Sequence, residues 1–167
     1  MADNPRHPNI VNHADAPLTE MSKGKHRMKL RRLGVVTGGQ TLGAVHTEVA
    51  PHSVSFPFHY HCATEEAIYV LSGSGLARVG DERIRIGPGD WIMLPPGPDH
   101  PHQMINDTHQ PLVYVCVSAL MQKVEIVGYP DSKKVAASAG PFEKPIVRWI
   151  SKQGESVDYW ADEPDAQ

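Results

Sequence analysis

The chain predicts an all-β domain on three observations. From residue 33 onward it is a series of short β-rich runs broken by glycine, proline or polar clusters. No long amphipathic helical period interrupts them. Gly80-Asp81 and Gly87-Pro88-Gly89-Asp90 supply tight turns between neighbouring runs, so the chain advances as a succession of hairpins. Many short strands at such spacing build a sandwich or a jelly-roll barrel.

Residues 1–32 are expected to form a polar N-terminal arm. Pro5, Pro8 and Pro17 stand among polar residues there, a composition that buries little. The run Lys23-Gly24-Lys25-His26-Arg27-Met28-Lys29-Leu30-Arg31-Arg32 is a local basic cluster, read mainly as a solvated lead-in. Its functional alternative is contact with a phosphate or another anion, although no glycine-rich phosphate loop accompanies it. The barrel proper is expected over 33–128, with strands at 33–37, 41–49, 56–61, 67–71 and 75–79. Arg83-Ile84-Arg85-Ile86 alternates, which puts isoleucines inside and arginines outside. Trp91-Ile92-Met93-Leu94 is continuously apolar and 112–117 is rich in β-branched residues, as in buried strands. A strand from Lys123 to Val127 follows, then a C-terminal extension over 129–167. Trp149, Tyr159 and Trp160 in that extension call for burial against the barrel or a partner subunit.

Composition narrows the function classes. At 167 residues there is room for one domain with a substantial core but not for a second catalytic domain. A net charge of -3 with mixed signs gives no basic field for nucleic acid. No stretch approaches the ~18 apolar residues of a membrane span, and the N-terminus lacks a secretory pattern, so a soluble, cytoplasmic protein is expected. Cys62 and Cys116 lack a framework of paired spacings, which argues against a structural disulfide.

The chemistry concentrates in two short segments. In Pro57-Phe58-His59-Tyr60-His61-Cys62-Ala63-Thr64-Glu65-Glu66, His59 and His61 are two apart and so project from one face of an extended strand. Tyr60 and Cys62 then face away. Glu66 opens the next apolar run and can reach the same point, with Glu65 as the weaker alternative. About forty residues later, Pro95-Pro96-Gly97-Pro98-Asp99-His100-Pro101-His102-Gln103-Met104-Ile105-Asn106 supplies a third imidazole. Three neutral imidazoles and a carboxylate suit a divalent transition metal such as Zn, Fe, Mn, Co or Ni, with positions left for water or substrate, and do not resemble a calcium cage. Histidines His7, His13, His26 and His109 are read as ordinary polar residues.

These segments resemble the two motifs of the cupin superfamily, over roughly residues 40–120. His59, His61, Glu66 and Gly73 fit the first motif, with Ser53 where a glycine leads it; Gly89, Pro95 and Gly97 fit the second. His100 keeps the second motif's distance from Gly97 and His102 its distance to Asn106. The segment looks like a subgroup with a longer Pro-x-Gly loop, which assigns His102 as ligand and leaves His100 on the loop. The resemblance implies a double-stranded β-helix, that is, a jelly-roll barrel with the ligands in its mouth, and a homodimer formed through a sheet edge, an arrangement that covers exposed edge strands.

First shells of this kind serve several reactions in cupins, so fold does not decide among them. The leading expectation is an isomerase or lyase type of enzyme acting on a sugar, a sugar phosphate or a related small oxygen-rich metabolite, with Glu65 or His100 as the base. The alternatives are an iron-dependent dioxygenase or polyketide-cyclase-like enzyme, and a non-catalytic module that binds a metal or small molecule. His46, Tyr69 and Gln103 are the expected polar groups of the pocket. Phe58, Trp91 and Met104 are expected to pack the barrel.

Overall fold

The computed structural model describes residues 6–120, 124–141, 144–154 and 157–164. Fourteen strands occur among them, in chain order: β1 (Thr19–Lys23), β2 (His26–Arg32), β3 (Leu42–Val49), β4 (Ser53–Val54), β5 (Tyr60–His61), β6 (Glu66–Ser72), β7 (Gly75–Val79), β8 (Glu82–Ile86), β9 (Trp91–Leu94), β10 (His102–Asn106), β11 (Leu112–Ala119), β12 (Val124–Tyr129), β13 (Lys134–Ala139) and β14 (Val147–Lys152). Lys123, expected to open the twelfth strand, lies outside the described residues.

The strands form a jelly roll. A ten-stranded sheet runs β8-β7-β10-β4-β2-β3-β11-β6-β9, with β1 paired to β2, and a four-stranded sheet runs β14-β13-β12-β5. An antiparallel bridge between His59 and His102 joins the two where β5 begins, with His102 N donating to His59 O at 2.7 Å.

The core lies on the inner face of the larger sheet. Val49, Ile68, Val70, Ala77, Ile86, Leu94, Met104, Leu112 and Tyr114 make one buried cluster. Registers explain the convergence: on β11, Leu112 opposes Val49, Tyr114 opposes Val70 and Cys116 opposes Ile68. Partners opposite one another share a face, so alternate residues of three strands interdigitate. Full burial of each large apolar side chain contributes about 1.5–3 kcal/mol. Gly73 closes the turn between β6 and β7 at φ +76°, where a Cβ would collide with Pro111 O. Only glycine fits there without strain.

Several expectations need correction. The larger sheet starts well before residue 33, because β1 and β2 form a hairpin and β2 sits between β4 and β3. Within the basic cluster Met28 and Leu30 alternate with Arg27, Lys29 and Arg31, and the two apolar side chains are buried while the cations face out. Residues 33–36 are a single helical turn, α1 (Leu33–Val36), not a strand. The Thr37 hydroxyl donates to Leu33 O at 2.8 Å and ends it. Most of the strand expected over 56–61 is irregular, and only Tyr60–His61 pairs as β5. Trp91 and Met93 are exposed because β9 is an edge strand with one face on the core. Ile84, on the opposite edge strand, is half exposed although Ile86 is buried. β12, expected within the barrel sheet, pairs instead with β13, so the extension continues a sheet that already contains β5. Trp149, Tyr159 and Trp160 are exposed in the chain. Both cysteines are free thiols, as their spacing indicated.

Candidate metal centre

The seam between the sheets gathers the expected ligands. His59 precedes β5, His61 ends it, Glu66 opens β6 and His102 opens β10. One ligand atom from each of His59, His61 and Glu66 falls within 4.8 Å of the others. His102 Nε2 lies 3.3 Å from Glu66 Oε2, and His61 Nε2 lies 3.6 Å from the same oxygen. The His59 and His102 ring centroids are 4.5 Å apart.

Two imidazoles are oriented by backbone carbonyls. His59 Nδ1 is 2.7 Å from Pro57 O, and His102 Nδ1 is 3.1 Å from His100 O. A carbonyl only accepts, so each Nδ1 carries the proton and, in the neutral ring, each Nε2 presents a lone pair. His102 Nε2 faces the Glu66 carboxylate, an acceptor, so either a proton on Nε2 or a bound cation must stand between them.

The third imidazole faces a carboxylate that the sequence did not point to. His61 Nδ1 is buried without a hydrogen-bond partner and lies 3.7 Å from Glu125 Oε2. Glu125 reaches from β12 and accepts backbone N–H groups from Cys62 (3.0 Å), Ala63 (3.1 Å) and Thr64 (2.8 Å). One carboxylate thus caps the loop after His61 and faces its ring. Carboxylates behind ligating imidazoles fix orientation and raise basicity.

Protonation follows from these contacts. Burial, reinforced by the neighbouring His102 and His61, depresses His59 to about 4, so its ring is neutral at physiological pH. Burial works against a charged His61 too, yet Glu125 and Glu66 outweigh it and raise the group. Burial pushes the Glu66 carboxyl up, but hydrogen bonding with His102, the His61 charge and the Ser118 hydroxyl together hold it at about 2. Ser118 Oγ donates to Glu66 Oε1 at 2.7 Å. Converging imidazole lone pairs, an ionised carboxylate and hydrogen-bonded support behind them fit a divalent metal.

Other expected residues fall elsewhere. Glu65 is exposed, one position out of phase with Glu66. His100 stays on the loop and contributes its carbonyl to His102. Gln103 is one residue from His102 and so on the opposite face, where its amide donates to Phe56 O at 2.8 Å. Tyr69 is exposed beside Trp91, because β6 turns Glu66, Ile68 and Val70 inward. His46 stacks on His13 in an outer hollow with Lys29, Arg31 and Glu48, since β3 turns Thr47 and Val49 inward. Besides Glu125, sequence reasoning missed Ser118, which opposes Glu66 on β11, and Tyr129, whose ring centroid is 6.2 Å from that of His59. Alternation on β12 was the available signal: Glu125, Val127 and Tyr129 share a face.

Comparison with known proteins agrees with this geometry. The sequence profile of the cupin domain matches residues 45–118. That segment is a cupin domain. Within it lie all four candidate ligands. An uncharacterized protein of Methanocaldococcus jannaschii is 37% identical over 60 residues, covering 36% of this chain and 46% of that protein, so the match spans less than half of the relative. Among solved structures, a candidate sugar phosphate isomerase from Acidithiobacillus ferrooxidans superposes with a TM-score of 0.77 at 20% identity, covering 90% of this chain and 96% of that one. A cupin-superfamily sugar phosphate isomerase from Silicibacter pomeroyi gives 0.69 at 22% identity over 77% and 78% of the two chains. The polyketide cyclase RemF of Streptomyces resistomycificus gives 0.56 at 26% identity over 66% and 78%. The first two likenesses establish the jelly roll and nothing finer. Among the described residues no helix is long and apolar enough to cross a membrane.

Proposed function

We propose that this cupin is a metal-dependent enzyme of the isomerase type acting on a small oxygen-rich metabolite such as a sugar or sugar phosphate. The observation that carries the reading is the cluster of His59, His61 and Glu66 at the sheet seam, with His102 Nε2 3.3 Å from the same Glu66 carboxylate. These four residues would hold a divalent transition metal, Zn, Fe, Mn or Ni. When bound, such a metal polarises carbonyl and hydroxyl oxygens.

The chain's own residues account for the rest. Pro57 O and His100 O hold two imidazoles in the ligating tautomer, Ser118 holds the carboxylate, and Glu125 lies 3.7 Å behind the third ring. Tyr129 is raised by burial, so its hydroxyl stays protonated at neutral pH and can donate to a substrate oxygen. It joins Glu65 and His100 as a candidate for handling a substrate proton, its ring centroid being 6.2 Å from that of His59.

The test begins with metal analysis of untagged protein purified without added metal. Wild-type protein is expected to retain metal, and the variant His59→Ala/His61→Ala to lose it while keeping its β circular dichroism. Metal-loaded protein is then assayed on sugars and sugar phosphates. Undiminished metal in the double variant overturns the site. Iron with substrate-dependent oxygen uptake on small aromatics or diketones moves the reading to a dioxygenase. Metal retained without any turnover leaves a binding module.

A further inference from the structure

The four-stranded sheet lies mostly outside the matched cupin segment, yet one of its faces belongs to the site. Register identifies that face. His61 opposes Val127, Val127 opposes Ala136, and Ala136 opposes Ile150, so these four share one side. Two positions along, Tyr129, Lys134 and Lys152 form a second row, and Glu125, Ser138 and Arg148 form a third. The face that presents His61 to Glu66 is therefore an apolar strip flanked by cations. Tyr60, Ile126 and Trp149 lie on the other side.

Side-chain contacts agree with the register. The Tyr129 ring lies nearly parallel to that of His59, at an interplanar angle of 27°. The Lys134 ammonium sits 5.2 Å from the Tyr129 ring centre. Arg148, in the row on the other flank of the apolar strip, bears the positive charge that works against burial, which raises the Tyr129 pKa. Lys152 is engaged, its ammonium donating to Ser132 O at 3.3 Å. The acids that share the site are engaged as well, Glu66 by Ser118 and His102 and Glu125 by three backbone N–H groups. Among the described residues neither Lys134 nor Arg148 takes part in an ion pair.

Cations on a sheet surface most often only solvate it. Here they share the side of the sheet that carries a candidate ligand, and an aromatic ring links them to the imidazole cluster. We propose that the site-facing side of β12–β14 is the substrate platform, and that it selects a metabolite bearing a phosphate or carboxylate, with Lys134 and Arg148 taking the anion beside Tyr129. This assignment rests on the proposed small-metabolite site and adds the charge of its ligand.

The experiment is calorimetric titration of the full chain with orthophosphate and, separately, malonate, in metal-free and metal-loaded forms. Three proteins are compared: wild type, Lys134→Ala/Arg148→Ala, and Lys23→Ala as a control on the exposed β1. Loss of both cations is expected to weaken binding by at least about tenfold in either form, with metal content and melting temperature unchanged. Lys23→Ala should bind as wild type does. Whichever anion binds wild type more tightly names the group. The assignment is overturned if neither anion binds wild type, if the double variant binds as wild type does, or if Lys23→Ala loses as much. Metal content is read separately, so a wild-type protein that holds no metal would sink the metal reading and leave the anion result standing.

Discussion

His100 and His102 show how two residues of one type, two apart, take different tasks. His102 is buried at the start of β10 and points Nε2 at Glu66, while His100 lends only its carbonyl. We expect His102→Ala to lower metal affinity severely and His100→Ala to lower it little, since a backbone carbonyl survives the substitution. Equilibrium dialysis of both variants checks this, and the reverse order would overturn the ligand assignment. Glu125 is the second case. Its carboxylate supports three N–H groups of the loop behind His61 and faces the His61 ring. Glu125→Ala should weaken metal binding by about 10–100-fold, the range for removing the partner of a ligating histidine. The same variant leaves three loop donors to water, so a lower melting temperature should accompany the loss. Metal affinity equal to wild type would remove Glu125 from the centre.

At the scale of elements, β5 is two residues long and its position depends on β12. Tyr60 lies over Gly128, where a Cβ would collide with the phenol ring. Gly128→Ala is therefore expected to push β5 away, costing about 1–3 kcal/mol as overpacking does and weakening metal binding through His61. Denaturant unfolding and metal titration read both effects. The double variant Gly128→Ala/Tyr60→Ser should recover most of each, and failure to recover would place the damage elsewhere. Elements of this kind mark the limit of what the chain discloses before it is folded. Alternation exposed β3, β7 and β11 because their neighbours are unambiguously apolar or polar. It was masked in β2, where Met28 and Leu30 are outnumbered by cations. His59, His61 and Glu66 were legible since two-residue spacing and an adjacent strand suffice to bring them together. Once Glu66 and His102 are fixed as inward, Tyr69 and Gln103 lie at odd offsets and must face away, so their assignment as pocket groups broke the strand's own parity. Glu125 and Tyr129 depend on β12 pairing with β5 across some sixty residues of sequence. That pairing is a tertiary fact.

At the scale of the whole molecule, the seam between sheets is held from outside as well as within. Arg78 from β7 makes two hydrogen bonds to Asp131, at 2.7 and 2.9 Å, just beyond β12, and its guanidinium lies 3.5 Å from the Phe58 ring centre. The candidate ligands thus sit between two sheets whose separation affects all four, and protons act on the same seam. In the metal-free chain, Glu66 and Glu125 are depressed to about 2, so the stability they confer is present above the ordinary carboxylate range and is lost as pH falls toward 2. His59, depressed to about 4, is neutral when folded, and stability falls as pH drops from 6.5 toward 4 because the unfolded chain takes up the proton first. His61 runs the other way. Its folded pKa is raised, so its contribution is present below 6.5 and is lost as pH rises through the folded value. A metal must displace that proton, and metal bound only to the folded chain stabilises it by mass action. The melting temperature of metal-loaded protein minus that of metal-free protein should therefore be larger at pH 8 than at pH 6. Glu125→Gln removes the first charge that raises His61, so in that variant the rise should occur at lower pH. A difference that stays constant with pH, or a rise that Glu125→Gln leaves in place, would show that His61 does not hold the proton the metal displaces.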